Sequence, residues 1–325
     1  MKRNQKILVT AVLGAVSALA LNTATAAITP VSIKDSPHNL GSGNVQGGAA
    51  GKTPSGAAVA NHSANTAEVC VFCHTPHGGD SGAAVPIWNR RLGIGGVGAT
   101  AVGALGYGRY SALGTTTFDS AEAPIGSVSI ACLSCHDGSQ AMDNVINMPG
   151  SGGYNPAGAP IGGFTGGDQA GGKLLPGVVQ NLGTDLSNDH PVSMQYGGGG
   201  ITITTPTVAK TADVDFRMPS VMNAPPGSTL GKLWYIETGS TDSLNGVARD
   251  RQDVLLYTRT DVIGGGGIGQ PTVECGSCHD PHNVRNQTFL RVSNAGKTSI
   301  ANNSDSIYPN ANGGPSALCL TCHTK

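Results

Sequence analysis

The chain has 325 residues, with 19 basic and 20 acidic side chains and only 12% charged residues, against about 25% in ordinary domains. Nothing in this balance supplies the clustered basic face that a nucleic-acid partner requires. With 49 Gly, 19 Pro, five Phe and two Trp, a large conventional core is excluded as well. Ordering the backbone costs roughly 1–2 kcal/mol per residue, most of all for Gly. Either the chain is disordered or something other than its side chains supplies the core.

The elements follow in chain order. Lys2, Arg3 and Lys6 form a basic start, residues 7–21 form an apolar run, and Ala24-Thr25-Ala26 offers a small-residue cleavage site. That order reads as a secretory signal peptide over residues 1–26. The run of 15 apolar residues is short of the roughly 20 needed to span a bilayer. Cleavage would leave 299 residues, with 16 basic and 20 acidic side chains and no membrane span. His38 and His62 come next, then Cys70-Val71-Phe72-Cys73-His74-Thr75-Pro76-His77. A Gly-rich stretch over 92–108 precedes Cys132-Leu133-Ser134-Cys135-His136. A second Gly-rich stretch, 150–172, leads to His190 and Met194. Short Gly runs at 197–200 and 264–267 read as loops, like the two longer stretches. Residues 201–205, 232–238 and 253–258 read as short strands. The chain closes with Cys275-Gly276-Ser277-Cys278-His279-Asp280-Pro281-His282 and then Cys319-Leu320-Thr321-Cys322-His323.

The ligand-bearing pieces repeat. Each half reads free His, CxxCHxPH, CLxCH, with 62 residues between the first two motifs and 44 between the last two. On a helical turn, residues i, i+3 and i+4 share a face. Two thiols there can reach both vinyl groups on one porphyrin edge, and the following imidazole lies over the iron. CxxCH reads as c-type haem attachment. Zinc also favours CxxC pairs but does not require a His after each one. A disulfide framework suits an exported chain, yet a CxxC loop is too small to staple a large fold. Thioredoxin-like pairs lack the His.

The expectation is therefore four covalently bound haem c groups, held by Cys70/Cys73, Cys132/Cys135, Cys275/Cys278 and Cys319/Cys322. His74, His136, His279 and His323 are the proximal ligands. The duplicated order picks out His38, His77, His190 and His282 as distal ligands. His62 has no counterpart in the other half and reads as a non-ligand. Met194 is a packing residue or, alternatively, an axial ligand. His77 and His282 lie too close to their own proximal His to reach round the same porphyrin. Each is expected either to ligate a neighbouring haem or to hydrogen-bond a propionate. Two dihaem modules are expected, 27–160 and 161–325, sharing haems in one unit. The fold class is mostly irregular coil with short helical turns at CxxCH and a few short strands, organised by haem.

Residues 70–78 (CVFCHTPHG), 188–194 (NDHPVSM), 275–283 (CGSCHDPHN) and 316–325 (SALCLTCHTK), with Ser36-Pro37-His38-Asn39-Leu40, resemble the doubled-CxxCH multihaem cytochromes. The layout is similar to the OmcE-like tetrahaem outer-surface, or nanowire, cytochromes of metal-reducing bacteria. That resemblance implies bis-His haems, little regular structure and haems in alternating stacked and T-shaped pairs. It also implies a cell-surface electron carrier that forms a homopolymer, with an axial His given by the adjacent subunit. Expected partners are other redox proteins or extracellular electron acceptors. His38, close to the start of the mature chain, is the expected cross-subunit ligand. The alternatives are a soluble periplasmic shuttle and a multihaem oxyanion reductase. The second of these needs an open coordination position, whereas five spare His serve four sites.

Overall fold

The computed structural model describes residues 33–43, 61–81, 84–92, 107–108, 110, 120–199, 211–223, 232–238, 252–259, 270–283, 287–292 and 317–324. The export segment, the strand expected at 201–205 and the Gly-rich residues 93–106 and 264–267 lie outside them. Among the described residues most of the chain is coil, with helices of ten residues or fewer. These are Ser127–His136 (α1), Cys275–Cys278 (α2) and Ala317–Cys322 (α3). None is long and apolar enough to cross a membrane.

α1 ends where the N–H of Asp137 bonds back to the carbonyls of Leu133 and Cys135. Gly138 follows at φ 70°, the left-handed turn that commonly closes a helix. A Cβ there would meet the Asn181 amide at 2.5 Å, so only glycine fits. α2 starts on a reciprocal cap. The Glu274 N–H donates to Ser277 Oγ at 2.9 Å while the Glu274 side chain takes the Ser277 N–H, which satisfies two otherwise unpaired groups.

The largest sheet has five antiparallel strands. Met194–Gln195 (β7), Pro271–Val273 (β11), Val254–Thr258 (β10), Lys232–Ile236 (β9) and Ser220–Asn223 (β8) lie side by side in that order. β9 and β10 occupy two of the stretches expected from sequence to be extended. Val254 and Leu256 of β10 alternate inward with period two and join Trp234, Ile236 and Tyr196 in one core.

The Gly-rich stretch 150–172, read from sequence as a loop, carries strands instead. Tyr154–Pro160 (β3) pairs with Asn144–Asn147 (β2), and Phe164–Thr165 (β4) with His62–Ser63 (β1). Gln169–Ala170 (β5) pairs with Lys173–Leu174 (β6). The glycines serve the turns. Gly171 and Gly172, at φ 56° and 79°, form the two-residue link between β5 and β6, a turn that needs positive φ at both positions.

Ser32–Lys325 form one compact unit. Among the described residues the buried apolar side chains fall into three small cores rather than one, and each packs against cysteines of the CxxCH motifs. Trp88, Ile130 and Leu133 meet Cys73, Phe72 and Met142 meet Cys73 and Cys135, and the sheet core meets Cys322.

Candidate functional site

Every CxxCH motif closes one turn. The first begins on a 3-10 turn, Cys70–Phe72, and the second forms the end of α1. α2 carries the third pair and α3 the fourth. The His74, His279 and His323 N–H groups donate to the carbonyls of Cys70, Cys275 and Cys319 at 2.7, 3.0 and 2.9 Å. Both thiols and the imidazole of each motif thus share a side. All eight cysteines are free, and the motifs are contiguous in space. Burial, then the neighbouring Cys135, pushes the Cys73 thiol up to about 12. Cys132 and Cys275 hydrogen-bond each other, which raises the first and lowers the second. Burial and then Cys275 raise Cys278 to about 11, and burial and then Cys278 raise Cys322 to about 12.

Three motifs are gripped by the same backbone device. The N–H groups of Asn89, Arg291 and Arg217 donate to the carbonyl of the second cysteine, Cys73, Cys278 and Cys322, each at 2.8 Å. Their side chains then reach the residue after the first cysteine. Asn89 Nδ2 meets the Val71 carbonyl at 2.6 Å, Arg291 Nε the Gly276 carbonyl at 3.0 Å, and Arg217 Nε the Leu320 carbonyl at 2.9 Å. Two residues earlier in each clamp, the carbonyls of Ile87, Phe289 and Asp215 take the N–H of the residue after the histidine at 2.9, 2.9 and 2.8 Å. The second motif is held differently, by the buried Arg90, which spans Ser134, Ala141, Met142 and Asn144. None of these clamp residues was foreseen from sequence.

The clamps also aim the histidines. His74 Nδ1 donates to the Pro86 carbonyl at 2.9 Å and His279 Nδ1 to the Thr288 carbonyl at 2.7 Å. His136 Nδ1 donates to the Gln180 carbonyl at 2.8 Å. A carbonyl can only accept, so Nδ1 carries the proton and Nε2 keeps its lone pair, the arrangement that metal-ligating histidines show.

The remaining histidines divide sharply. The His282 ring faces that of His74 with centroids 6.1 Å apart and planes at 20°. His38 faces His136 at 6.2 Å and 66°. Burial, helped by nearby His136 and His282, lowers His38 to about 3. Burial likewise lowers His136 and His190, the latter with His323 close by. His77 is exposed, and its carbonyl accepts from Thr75 Oγ1 and Asn147 Nδ2. His62 sits in β1 opposite Thr165, and Met194 is buried in β7 opposite Val273, a packing position.

His38 does not sit on a free arm. The turn that carries it is docked through Ser42 N–H to the Thr66 carbonyl and Ser63 N–H to the Leu40 carbonyl, which brings the ring onto its own chain's His136.

Comparison with protein-family models and with curated proteins finds no match.

The histidine donors stand in pairs rather than in a cluster. Among the described residues no three His, Cys, Asp or Glu side chains converge, whereas structural zinc takes four ligands. The imidazoles come in facing pairs instead. Two imidazoles sharing one metal through Nε2 stand with ring centres about 6 Å apart, given metal–nitrogen bonds of about 2 Å. The exposed large apolar side chains tell the same story. Ile87, Val179, Leu182 and Val214 each lie within one residue of a main-chain group that holds a proximal histidine or the residue after it. Tyr154 covers Gly78, next to His77. Exposed apolar surface gathered around polar anchors marks a ligand site.

Proposed function

We propose that this chain is an exported tetrahaem c-type cytochrome that transfers electrons. One observation carries the reading. At two of the four CxxCH turns, a histidine remote in sequence faces the proximal histidine at the spacing of two ligands on one iron. In this reading His74 and His282 hold the first haem, and His136 and His38 the second. His279 holds the third with His77, and His323 the fourth with His190. His77 and His190 are assigned by the duplicated order, and the closeness of His190 to His323 supports the second assignment.

Bound haem supplies one-electron exchange between ferric and ferrous iron. The chain's own residues hold and orient. The carbonyls of Pro86, Gln180 and Thr288 fix the tautomers, and the clamps seat the thioether turns. Two imidazoles per iron keep potentials low in the cytochrome range. Partners are other redox proteins or extracellular acceptors. A homopolymer at the cell surface rests on the family resemblance alone. The alternative, a soluble shuttle, is favoured by His38, which closes on its own chain.

Intact mass of the denatured holoprotein tests the reading, with resonance Raman of the native form. Four haem increments and four six-coordinate low-spin irons are expected. A chain without those increments overturns it.

A further inference from the structure

We infer that Phe289 is a positioning residue whose ring fixes the plane of His38. The inference rests on the haem reading above, in which His38 faces His136 on the second haem. The Phe289 ring lies 4.2 Å from that of His38 with planes only 5° apart. An imidazole bonded through one nitrogen can still turn about that bond, and a stacked ring is what stops it. The Pro281 carbonyl also stands near the His38 ring. The Phe289 ring and this carbonyl both belong to the loop that follows the third CxxCH turn.

The backbone argues that this ring is placed rather than incidental. Phe289 has φ 59° and Thr288 before it φ 56°. A bulky residue in the left-handed region is an outlier that persists only where its surroundings hold it, and such outliers gather at functional sites. The clamp does not need the ring. Ile87 takes the same place in the first clamp at φ 48°, and Asp215 in the last. The main-chain role is common to all three positions, while the aromatic face against a histidine belongs to Phe289. The second haem's distal ligand is thereby oriented by the loop that holds the third haem's proximal ligand, since the Thr288 carbonyl anchors His279.

The plane angle between two axial imidazoles is readable. Crossed planes give a strongly anisotropic ferric EPR signal, and near-parallel planes an ordinary rhombic one. The 66° of His38 and His136 belongs to the first kind, and the 20° of His74 and His282 to the second. The test uses the full-length holoprotein as Phe289→Tyr, Phe289→Leu and Phe289→Gly. Tyr is expected to keep the crossed-plane signal. Leu and Gly are expected to shift or lose it, and to admit cyanide at one haem roughly tenfold faster, the lower end of what loss of an outer-shell support costs. The Gly variant relieves the backbone, so it remains informative if the Leu variant fails to fold. Four haems by mass with an unchanged signal in Leu and Gly overturn the role of Phe289 alone. Loss of the signal in Tyr as well also overturns it. Wild-type protein lacking haem overturns the haem reading and this inference with it.

Discussion

At the scale of single residues, the buried carboxyl of Glu274 shows how closely the second and third motifs are joined. It accepts from Ser129 of the first half, and from Ser193 and, at 3.2 Å, Arg259 Nη1 of its own half, and it caps α2. Burial pushes its pKa up to about 7, against the downward pull of Ser129, Arg259 and Ser193. The folded value lies above the ordinary 4.5, so the native state holds the proton more tightly. The resulting stability is complete below about pH 4.5 and is lost as pH rises through 7, on the order of 3 kcal/mol. Denaturant midpoints should fall between pH 5 and pH 8, and Glu274→Gln should flatten that slope. An unchanged slope would assign the pH dependence to another group. Residues of this kind are illegible in sequence, because a Glu before CxxC gives no sign of a partner some 145 residues away. The cysteines and proximal histidines are legible because the motif is contiguous. The docking of the turn that carries His38 was not legible, because 32 residues of chain before the first cysteine look like a loose arm. Terminal segments stay loose only when nothing ties them down, and here the turn around Leu40 is docked.

At the scale of elements, the recurring clamp matters more than any strand. The stretches that carry it, Pro86-Ile87-Trp88-Asn89, Thr288-Phe289-Leu290-Arg291 and Val214-Asp215-Phe216-Arg217, share little. Two of them follow their motif and one precedes it by about a hundred residues. Main-chain groups do most of the holding, which leaves side-chain identity free to drift. The one shared demand is a side-chain donor at the last position, Asn or Arg, and a single position is too short a signal to find. β9 and β10 were legible because short runs rich in β-forming residues, KLWYI and VLLYT, need no partner to be recognised. β3, β4 and β5 were not, because glycines that look like loop formers serve as hairpin turns. The left-handed residues Ile87 and Phe289 cost about 1–3 kcal/mol each, a strain borne where the clamp meets the histidine. Asn89 is fully buried and makes three side-chain bonds, to the Val71 and Asn147 carbonyls and from the Asn147 N–H. Asn89→Ala leaves those groups unpaired and should cost about 2–4 kcal/mol, read as a lower denaturant midpoint. A loss below about 1 kcal/mol would mean that the first motif is seated by its main-chain bonds alone.

At the scale of the whole molecule, the proposed reading interlocks the two halves through their histidines. His282 follows the third motif by sequence but faces His74 of the first. Asp280 orients it, accepting the His282 N–H at 2.9 Å and standing 3.7 Å from its Nδ1. In the proposed haem reading, a residue three places after a proximal histidine does not easily pass to the far side of its own porphyrin, so the short HxPH spacing calls for an exchange between halves. This has a consequence that separates it from a simple string of self-contained haem sites. His282→Ala should damage the haem attached to Cys70 and Cys73, not the one attached to Cys275 and Cys278. Ferric EPR decides this without assigning signals in advance. His282→Ala and His74→Ala should remove the same near-parallel low-spin signal, whereas His279→Ala should remove a different one. If His282→Ala and His279→Ala instead remove one common signal, His282 serves its own haem and the interlock is wrong. The same spectra at high dilution bear on assembly. Ligands supplied within one chain hold their irons low-spin at any concentration, whereas a ligand lent by a neighbouring copy is lost when copies separate. The pairs His74 with His282 and His38 with His136 are intramolecular, so at least those two signals should survive dilution unchanged.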